Sequence, residues 1–187
     1  FGHAISEHMM GMVNSLYKKL HLYRDNQNES LWRDEGSVRS IYGAKVLVVG
    51  MGDIGEAFAK TAHALGMHVS GIRRTTVEKP AFIEAMYSPD ELKSIVGDFD
   101  IVALSLPETA KTVHLFDEKM IGAMKDGAVL LNVGRGSAID TDALVRALQS
   151  GKLYGAGLDV TEPEPLPPGH PLYSAPGVIL TPHIAGS

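Results

Sequence analysis

Cysteine is absent from this 187-residue sequence, and its absence excludes disulfide bonds, thiolate chemistry and sulfur-ligated metal sites. The sequence also lacks an apolar run long enough to cross a bilayer, and its first residues lack the basic and hydrophobic order of a secretion signal. We therefore expect no membrane partner. A chain without cysteine suits a reducing compartment, so we expect a cytoplasmic location.

An excess of positive charge is missing as well. The chain has 17 Lys and Arg against 22 Asp and Glu, a net charge of −5, and no basic tract of the kind that follows a phosphate backbone. Nucleic acid is therefore not an expected partner. The length and the 44% hydrophobic content predict one domain with a buried core.

Short apolar runs alternate with helical patterns from Lys45 onward. The runs are continuous, as strands that are covered on both faces require. The predicted strands are Val46–Val49, His68–Ile72, Ile101–Leu106, Val129–Val133, Gly155–Val160 and Val178–Leu180. The predicted helices between them are 54–65, Pro89–Val96 and Thr141–Leu148. This order predicts an α/β fold of the Rossmann type, a doubly wound parallel sheet with helices on both faces.

An extra N-terminal helix is predicted before the first strand. Its apolar residues lie on one stripe, which consists of Ile5, Met9, Met12, Val13, Leu16 and Leu20. We expect this helix to end at about Tyr23. The polar stretch from Arg24 to Ser40 is predicted to be a connecting loop, and the proline-rich stretch Pro163–Pro171 a rigid loop.

The turn after the first strand has the sequence Gly50-Met51-Gly52-Asp53-Ile54-Gly55, which fits the dinucleotide-binding fingerprint. Gly50 permits the turn, Gly52 lets a pyrophosphate approach the backbone, and Gly55 lets the helix lie close to the sheet. The first amide groups of that helix would then face the phosphates. We predict a nicotinamide dinucleotide as the cofactor.

The second predicted strand ends without the acidic residue that binds the ribose hydroxyls in NAD-specific folds. Arg73, Arg74 and Thr75 follow this strand instead. Two guanidinium groups and a hydroxyl would hold a 2′-phosphate through charge-assisted hydrogen bonds. We therefore favour NADP over NAD, or the use of both. The alternative is that both arginines are solvated and that backbone groups bind the ribose.

Three later segments follow predicted strands, at the edge where open α/β sheets bind ligands. They are Asn132–Ser137, Gly157–Pro165 and Thr181–Gly186. Together with the glycine loop, in this order and spacing, they resemble the signature segments of the D-isomer-specific 2-hydroxyacid dehydrogenases. The resemblance extends from Ser6-Glu7-His8 to Ser187.

The resemblance implies catalytic roles for three residues. Arg135 would bind the substrate carboxylate, since a planar guanidinium can pair with both oxygens. His183 would be the general acid and base, and Glu164, rather than Glu162, would orient its imidazole. Taken singly, each residue has a plain structural alternative, because arginines cap loops, most histidines are structural and acids among prolines are solvated.

The resemblance also implies a wider cofactor site. Asp159 would contact the nicotinamide end of the dinucleotide. The remaining residues expected there are Leu106, Pro107, Val133, Gly134 and Gly186.

The other histidines predict no metal site, because their spacing does not suit metal ligation with nearby acids. They are His3, His8, His21, His63, His68, His114 and His170, which we interpret as structural or surface residues. Asp140 and Asp142 are predicted to start a helix rather than to carry chemistry.

Members of the family have a second, substrate-binding domain, for which residues 1–187 leave no room. The chain is therefore expected to be a dinucleotide-binding domain cut from a two-domain enzyme, binding cofactor with little or no turnover. The substrate of the whole enzyme would be a small 2-keto or 2-hydroxy acid such as glyoxylate, hydroxypyruvate or pyruvate.

The resemblance leaves the assembly and one alternative function open. The first helix resembles the one that packs against a second subunit, and its methionine-rich face is longer than a monomer needs, so we expect a homodimer. The alternative is that this face packs on its own domain. A dinucleotide-sensing corepressor of the same fold is an alternative function, and another Rossmann enzyme with coincidental motifs is a third.

Overall fold

A single parallel sheet runs through the computed structural model, which describes residues 1–75 and 77–187. Its strands are β1 Lys45–Val49, β2 His68–Ile72, β3 Met86–Tyr87, β4 Ile101–Leu104, β5 Ala128–Asn132, β6 Leu153–Leu158 and β7 Val178–Leu180. Their order across the sheet is β3-β2-β1-β4-β5-β6-β7, and every neighbouring pair is parallel.

Helices cover both faces of this sheet. They are α1 Gly2–Tyr17, α2 Leu20–Asn28, α3 Asp53–Ala64, α4 Leu92–Ile95, α5 Glu118–Ala123 and α6 Thr141–Gln149. Val46 and Val48 of β1 pack with α1 and α3, whereas Leu47 and Val49 pack with α4, α5 and α6. Because side chains of a strand alternate between its faces, both faces of β1 must be apolar. The doubly wound fold with an extra N-terminal helix is confirmed.

The strand order reverses beside β1. The chain builds β2 and β3 on one side of β1, and then crosses over to β4 on its other side. The loops that follow β1 and β4 therefore diverge at the carboxyl edge of the sheet, and open α/β folds bind their ligands in the crevice that this divergence creates.

The N-terminal helix is shorter than the prediction. It ends at Tyr17, and Lys19 has a left-handed backbone with φ of 58° that separates it from α2. Because α2 continues to Asn28, the predicted loop from Arg24 is wrong over its first five residues. A lysine in this conformation is uncommon, and no residue pattern in the sequence predicts it.

The methionine-rich face of α1 packs within its own chain. Met9, Met12 and Leu16 are buried against α3 and the sheet. This packing corresponds to the alternative that the sequence left open. Only the family resemblance therefore supports the expected homodimer.

Two short elements were missing from the prediction. The β3 strand has only two residues, too few for any periodicity, and α5 has six, with Gly122 near its end. The predicted helix Pro89–Val96 is regular only over Leu92–Ile95, with 3₁₀ turns on either side. Among the described residues, no helix combines the length and the apolar character that a bilayer crossing requires.

Candidate functional site

The glycine loop joins β1 to α3 at the point where the strand order reverses. Gly50 has φ of +99°, which glycine adopts without strain. A Cβ on Gly50 would lie 2.8 Å from the Ser105 carbonyl oxygen, so the loops after β1 and β4 begin side by side before they diverge. The Ser105 hydroxyl closes this contact by donating to the Gly50 carbonyl oxygen over 2.9 Å.

The start of α3 fits the phosphates of a dinucleotide. Gly52 is the N-cap of the helix, no side chain caps it, and a Cβ at this position would meet no atom within 4 Å. The first amides of this helix, those of Asp53, Ile54 and Gly55, have no acceptor within the helix, so an anion is favoured at this end. A Cβ on Gly55 would lie 1.9 Å from the Gly50 carbonyl oxygen, which only glycine permits.

Arg73, Arg74 and Thr75 lie directly after β2, the position at which the sequence predicts the binding site of the ribose. The Arg73 amide donates to the Tyr87 carbonyl oxygen over 3.1 Å, and this bond joins the segment to β3. Arg73 is half-buried, while Arg74 and Thr75 are exposed. No carboxylate occupies positions 73–75, so no acid of this segment would repel a 2′-phosphate.

The loops after β4 and β5 also touch. A Cβ on Gly134 would lie 2.6 Å from both the amide nitrogen and the carbonyl oxygen of Leu106. Leu106 is half-buried, Pro107 is exposed and Val133 is buried, so these loops expose backbone and a little apolar surface to the crevice. These four residues and Gly50 lie along one continuous edge, because both Gly50 and Gly134 contact Leu106.

Asn132, for which the sequence predicts no role, organises the loop that carries Arg135. The Asn132 side chain donates to the Arg135 carbonyl oxygen over 2.9 Å and accepts from the Gly134 amide over 3.1 Å. It is buried, and its two bonds satisfy both ends of the amide. Its position at the last residue of a buried strand was the signal that could have identified it.

Arg135 is exposed at the carboxyl edge of the sheet. Its guanidinium donates to the Gly134 carbonyl oxygen over 2.9 Å, which uses one of five donor protons and leaves the planar fork available. The next residue, Gly136, touches the loop after β6, because a Cβ there would lie 2.0 Å from the Thr161 carbonyl oxygen. The loops of Arg135 and Glu164 are thus adjacent.

His183 and Glu164 form a direct pair. The imidazole Nδ1 lies 2.9 Å from the Glu164 carboxylate, and both side chains are about half exposed. An ionised carboxylate only accepts hydrogen bonds, so Nδ1 carries the proton of this bond. The arrangement leaves Nε2 as the nitrogen that can face a substrate. Glu162 pairs instead with His114, at 2.9 Å.

A pocket of about 560 Å³ borders this pair. Its lining includes Glu164 and His183 together with the apolar side chains of Leu166, Tyr173, Leu180 and Pro182. Arg135 and the glycine loop do not line it. The structure therefore joins His183 to Glu164 by contact, and it places Arg135 on the neighbouring loop rather than in the same pocket.

Asp159 is buried at the end of β6, with 2% of its surface exposed. Its carboxylate accepts the Thr181 hydroxyl and the amides of Ile184 and Ala185, so it faces the backbone of the last loop. Gly186 follows that loop and is exposed. Among the described residues, no group of three or more histidines and acids is arranged to bind a metal.

The sequence predicts a structural or surface role for His8. It is largely buried, and its Nε2 lies 2.9 Å from the Thr181 hydroxyl. The sequence does not reveal the contact between His8 and Thr181, because it joins residues 173 positions apart.

Comparison with known proteins gives consistent matches. The sequence model of the family described as "D-isomer specific 2-hydroxyacid dehydrogenase, NAD binding domain" matches residues 10–185. The glyoxylate reductase of Korarchaeum cryptofilum (strain OPF8) is 41% identical over 150 residues, which span 79% of this chain and 44% of that relative. The chain thus spans less than half the length of this curated relative.

Solved structures resemble the whole chain. The phosphoglycerate dehydrogenase from Lactobacillus plantarum has a TM-score of 0.92 and 36% identity, over 100% of this chain and 61% of that one. A D-isomer specific 2-hydroxyacid dehydrogenase from Xanthobacter autotrophicus Py2, solved with NADPH and MES, has a TM-score of 0.88 and 30% identity, over 98% of this chain and 58% of that one.

Proposed function

This chain belongs to the D-isomer specific 2-hydroxyacid dehydrogenase family as its NAD-binding domain, and from that premise we propose that residues 1–187 serve a two-domain oxidoreductase. The whole enzyme would reduce a small 2-keto acid to a D-2-hydroxy acid, with glyoxylate, hydroxypyruvate and pyruvate as candidates. The contact between His183 Nδ1 and Glu164, beside the loop of Arg135, carries this proposal.

The three side chains divide the work of the proposed reaction. A nicotinamide, when bound, supplies the hydride that reduces the carbonyl carbon. Arg135 holds the substrate carboxylate, and a bidentate pair would orient the keto acid as well as bind it. His183 donates a proton from Nε2 to the carbonyl oxygen and removes it in the reverse direction. Glu164 holds the ring in place by accepting the hydrogen bond from Nδ1.

Reduction of 2-keto acids by the full-length protein tests this function. We expect glyoxylate, hydroxypyruvate or pyruvate to drive the oxidation of NADH or NADPH, followed by the loss of absorbance of the reduced nicotinamide. Acetaldehyde, which has a carbonyl but no carboxylate for Arg135, is the control and should be a poor substrate. The isolated chain should bind the dinucleotide with little or no turnover, because substrate orientation requires the second domain.

Dinucleotide binding without reduction of any 2-keto acid would contradict the proposal and favour the corepressor alternative. The relatives reported above are reductases and dehydrogenases, and they give that alternative no support.

The cofactor is a nicotinamide dinucleotide, and we propose that NADP(H) is preferred over NAD(H). Arg73, Arg74 and Thr75 support this preference, because they follow β2 where an acid would exclude a 2′-phosphate. The similar Xanthobacter autotrophicus enzyme was solved with NADPH. These observations support NADP without excluding dual use.

Calorimetric titration of the Arg73→Ala/Arg74→Ala variant tests the preference. We expect the Kd for NADPH to rise about 10- to 100-fold, because two charge-assisted hydrogen bonds are removed, and the Kd for NADH to change less than about threefold. Arg146→Ala, which removes an exposed arginine from α6, is the control and should change neither value. Tighter binding of NADH than of NADPH by the parent protein would show that the preference is wrong.

The cytoplasmic location and the homodimer of the whole protein remain proposals. The homodimer rests on the resemblance of the first helix to one that contacts a second subunit, and sedimentation of the full-length protein would test it.

A further inference from the structure

We propose that Asp159, Thr181 and His8 are positioning residues that hold the loop carrying His183. This inference rests on the proposed function, since it concerns the residue assigned there as acid and base. Holding this loop in place is a function that neither the glycine loop nor the His183–Glu164 pair performs.

Asp159 binds the His183 loop at four points. Its Oδ1 accepts the Thr181 hydroxyl at 2.7 Å and the Ile184 amide at 2.8 Å, and its Oδ2 accepts the Ala185 amide at 3.0 Å. The Asp159 carbonyl oxygen accepts the His183 amide at 2.9 Å. A buried carboxylate is stable only when hydrogen bonds replace its water, and here the last loop supplies those bonds.

These bonds surround a strained residue. His183 has a left-handed backbone with φ of 58°, which is unfavourable for a residue with a Cβ. Such a conformation persists only where neighbouring contacts over-determine it. The bonds from Asp159 to the residues on both sides of His183 provide this constraint, and the resulting backbone directs the imidazole to Glu164.

His8 extends the chain of bonds to helix α1. The Thr181 hydroxyl has one proton, which it donates to the Asp159 carboxylate, because an ionised carboxylate can only accept. The hydroxyl oxygen must therefore accept from His8, whose Nε2 lies 2.9 Å away and carries the proton. The Asp159 carboxylate thereby fixes the direction of both bonds, and through His8 helix α1 becomes part of the support for His183.

The test compares Thr181→Val with Thr181→Ser in the full-length protein. Valine keeps the shape of threonine and removes the hydroxyl. We expect the amides of residues 183–185 to exchange with deuterium about tenfold faster, and kcat for 2-keto acid reduction to fall about tenfold with little change in KM. Serine restores the hydroxyl and should return both values close to those of the parent.

Thr61→Val is the matched control. Thr61 on α3 accepts a hydrogen bond from Ser6 of α1 at 3.0 Å, so its hydroxyl also links α1 to the domain but is separate from Asp159. We expect this variant to leave exchange at residues 183–185 and kcat unchanged. A His8→Phe variant should resemble Thr181→Val, and the double variant should show no additional loss, because both substitutions break one chain.

The outcomes separate this inference from the proposed function. Equal exchange in Thr181→Val and Thr61→Val would overturn the inference even in a fully active enzyme. Faster exchange with unchanged kcat would also overturn it, because the loop would then be held for stability alone. Failure of the parent protein to reduce any 2-keto acid would remove the proposed function, while exchange would still report on the loop.

Discussion

Replacing His183 with alanine in the full-length enzyme is expected to lower kcat by about 10²- to 10⁴-fold, the usual contribution of a general acid or base. The structural reason is the pair at 2.9 Å, in which Glu164 binds Nδ1 and leaves Nε2 for the carbonyl oxygen. Dinucleotide affinity should be unchanged, because the glycine loop lies after a different strand. Steady-state kinetics and calorimetric titration provide the two measurements.

The backbone of His183 requires a second variant. Alanine keeps a Cβ at φ of 58° but lacks the polar side chain with which His, Asn and Asp favour this region, so its effect on the loop is not that of the lost imidazole alone. Asparagine tolerates the left-handed region, so His183→Asn should preserve the loop and lose the same activity. A decrease smaller than about tenfold in both variants would remove His183 from the proposed role.

Glu164→Gln should give a smaller loss than either variant. The amide can still accept from Nδ1, but the charge-assisted hydrogen bond becomes a weaker neutral one, so the ring is held less firmly. Because Glu162 pairs with His114, Glu162→Gln is the control from the same loop and should leave kcat close to that of the parent.

The second large effect is expected at Gly55. A Cβ there would lie 1.9 Å from the Gly50 carbonyl oxygen, and the neighbour is backbone that cannot move without separating α3 from β1. Gly55→Ala should therefore destabilise the domain by about 3 kcal/mol or more, the upper range for overpacking. In a domain of this size that corresponds to a decrease in Tm of about 6 to 12 °C, measured by thermal denaturation.

Gly52→Ala is the matched control, with the opposite result. Its Cβ would meet nothing within 4 Å and its φ of −82° suits alanine, so Tm should change by less than about 3 °C. Dinucleotide affinity should nevertheless fall at least about tenfold, because the methyl group occupies the space that a pyrophosphate would enter. Unchanged affinity in Gly52→Ala would exclude this loop as the phosphate site.

The sequence was sufficient to predict features that depend only on neighbouring residues. The glycine loop is defined by six consecutive residues, and the continuous apolar runs such as Val46–Val49 predicted the parallel sheet, because strands covered on both faces must be apolar throughout. The family segments placed Glu164 and His183 after the last two strands, which are neighbours in the sheet. The resemblance implied their contact, and this topology brings the two loops to the same edge of the sheet.

The sequence was insufficient to predict features that depend on contacts between distant residues or on one backbone angle. His8 meets Thr181 across 173 positions, and no spacing rule connects them. The break at Lys19 depends on a left-handed lysine, and the stripe of α1 continues past it to Leu20. Only the structure could show what the methionine-rich face of α1 packs against, because the same stripe suits a partner subunit or the chain's own core.

The packing of α1 has a consequence for oxidative damage. The chain has no thiol, and apart from half-buried Met86 its methionines are buried, namely Met9, Met10, Met12, Met51, Met67, Met120 and Met124. Peroxide converts accessible thioethers to sulfoxides, which are polar and disrupt apolar packing. At the buried positions this conversion requires opening of the structure, so the rate at which peroxide consumes those methionines would measure how often the domain opens.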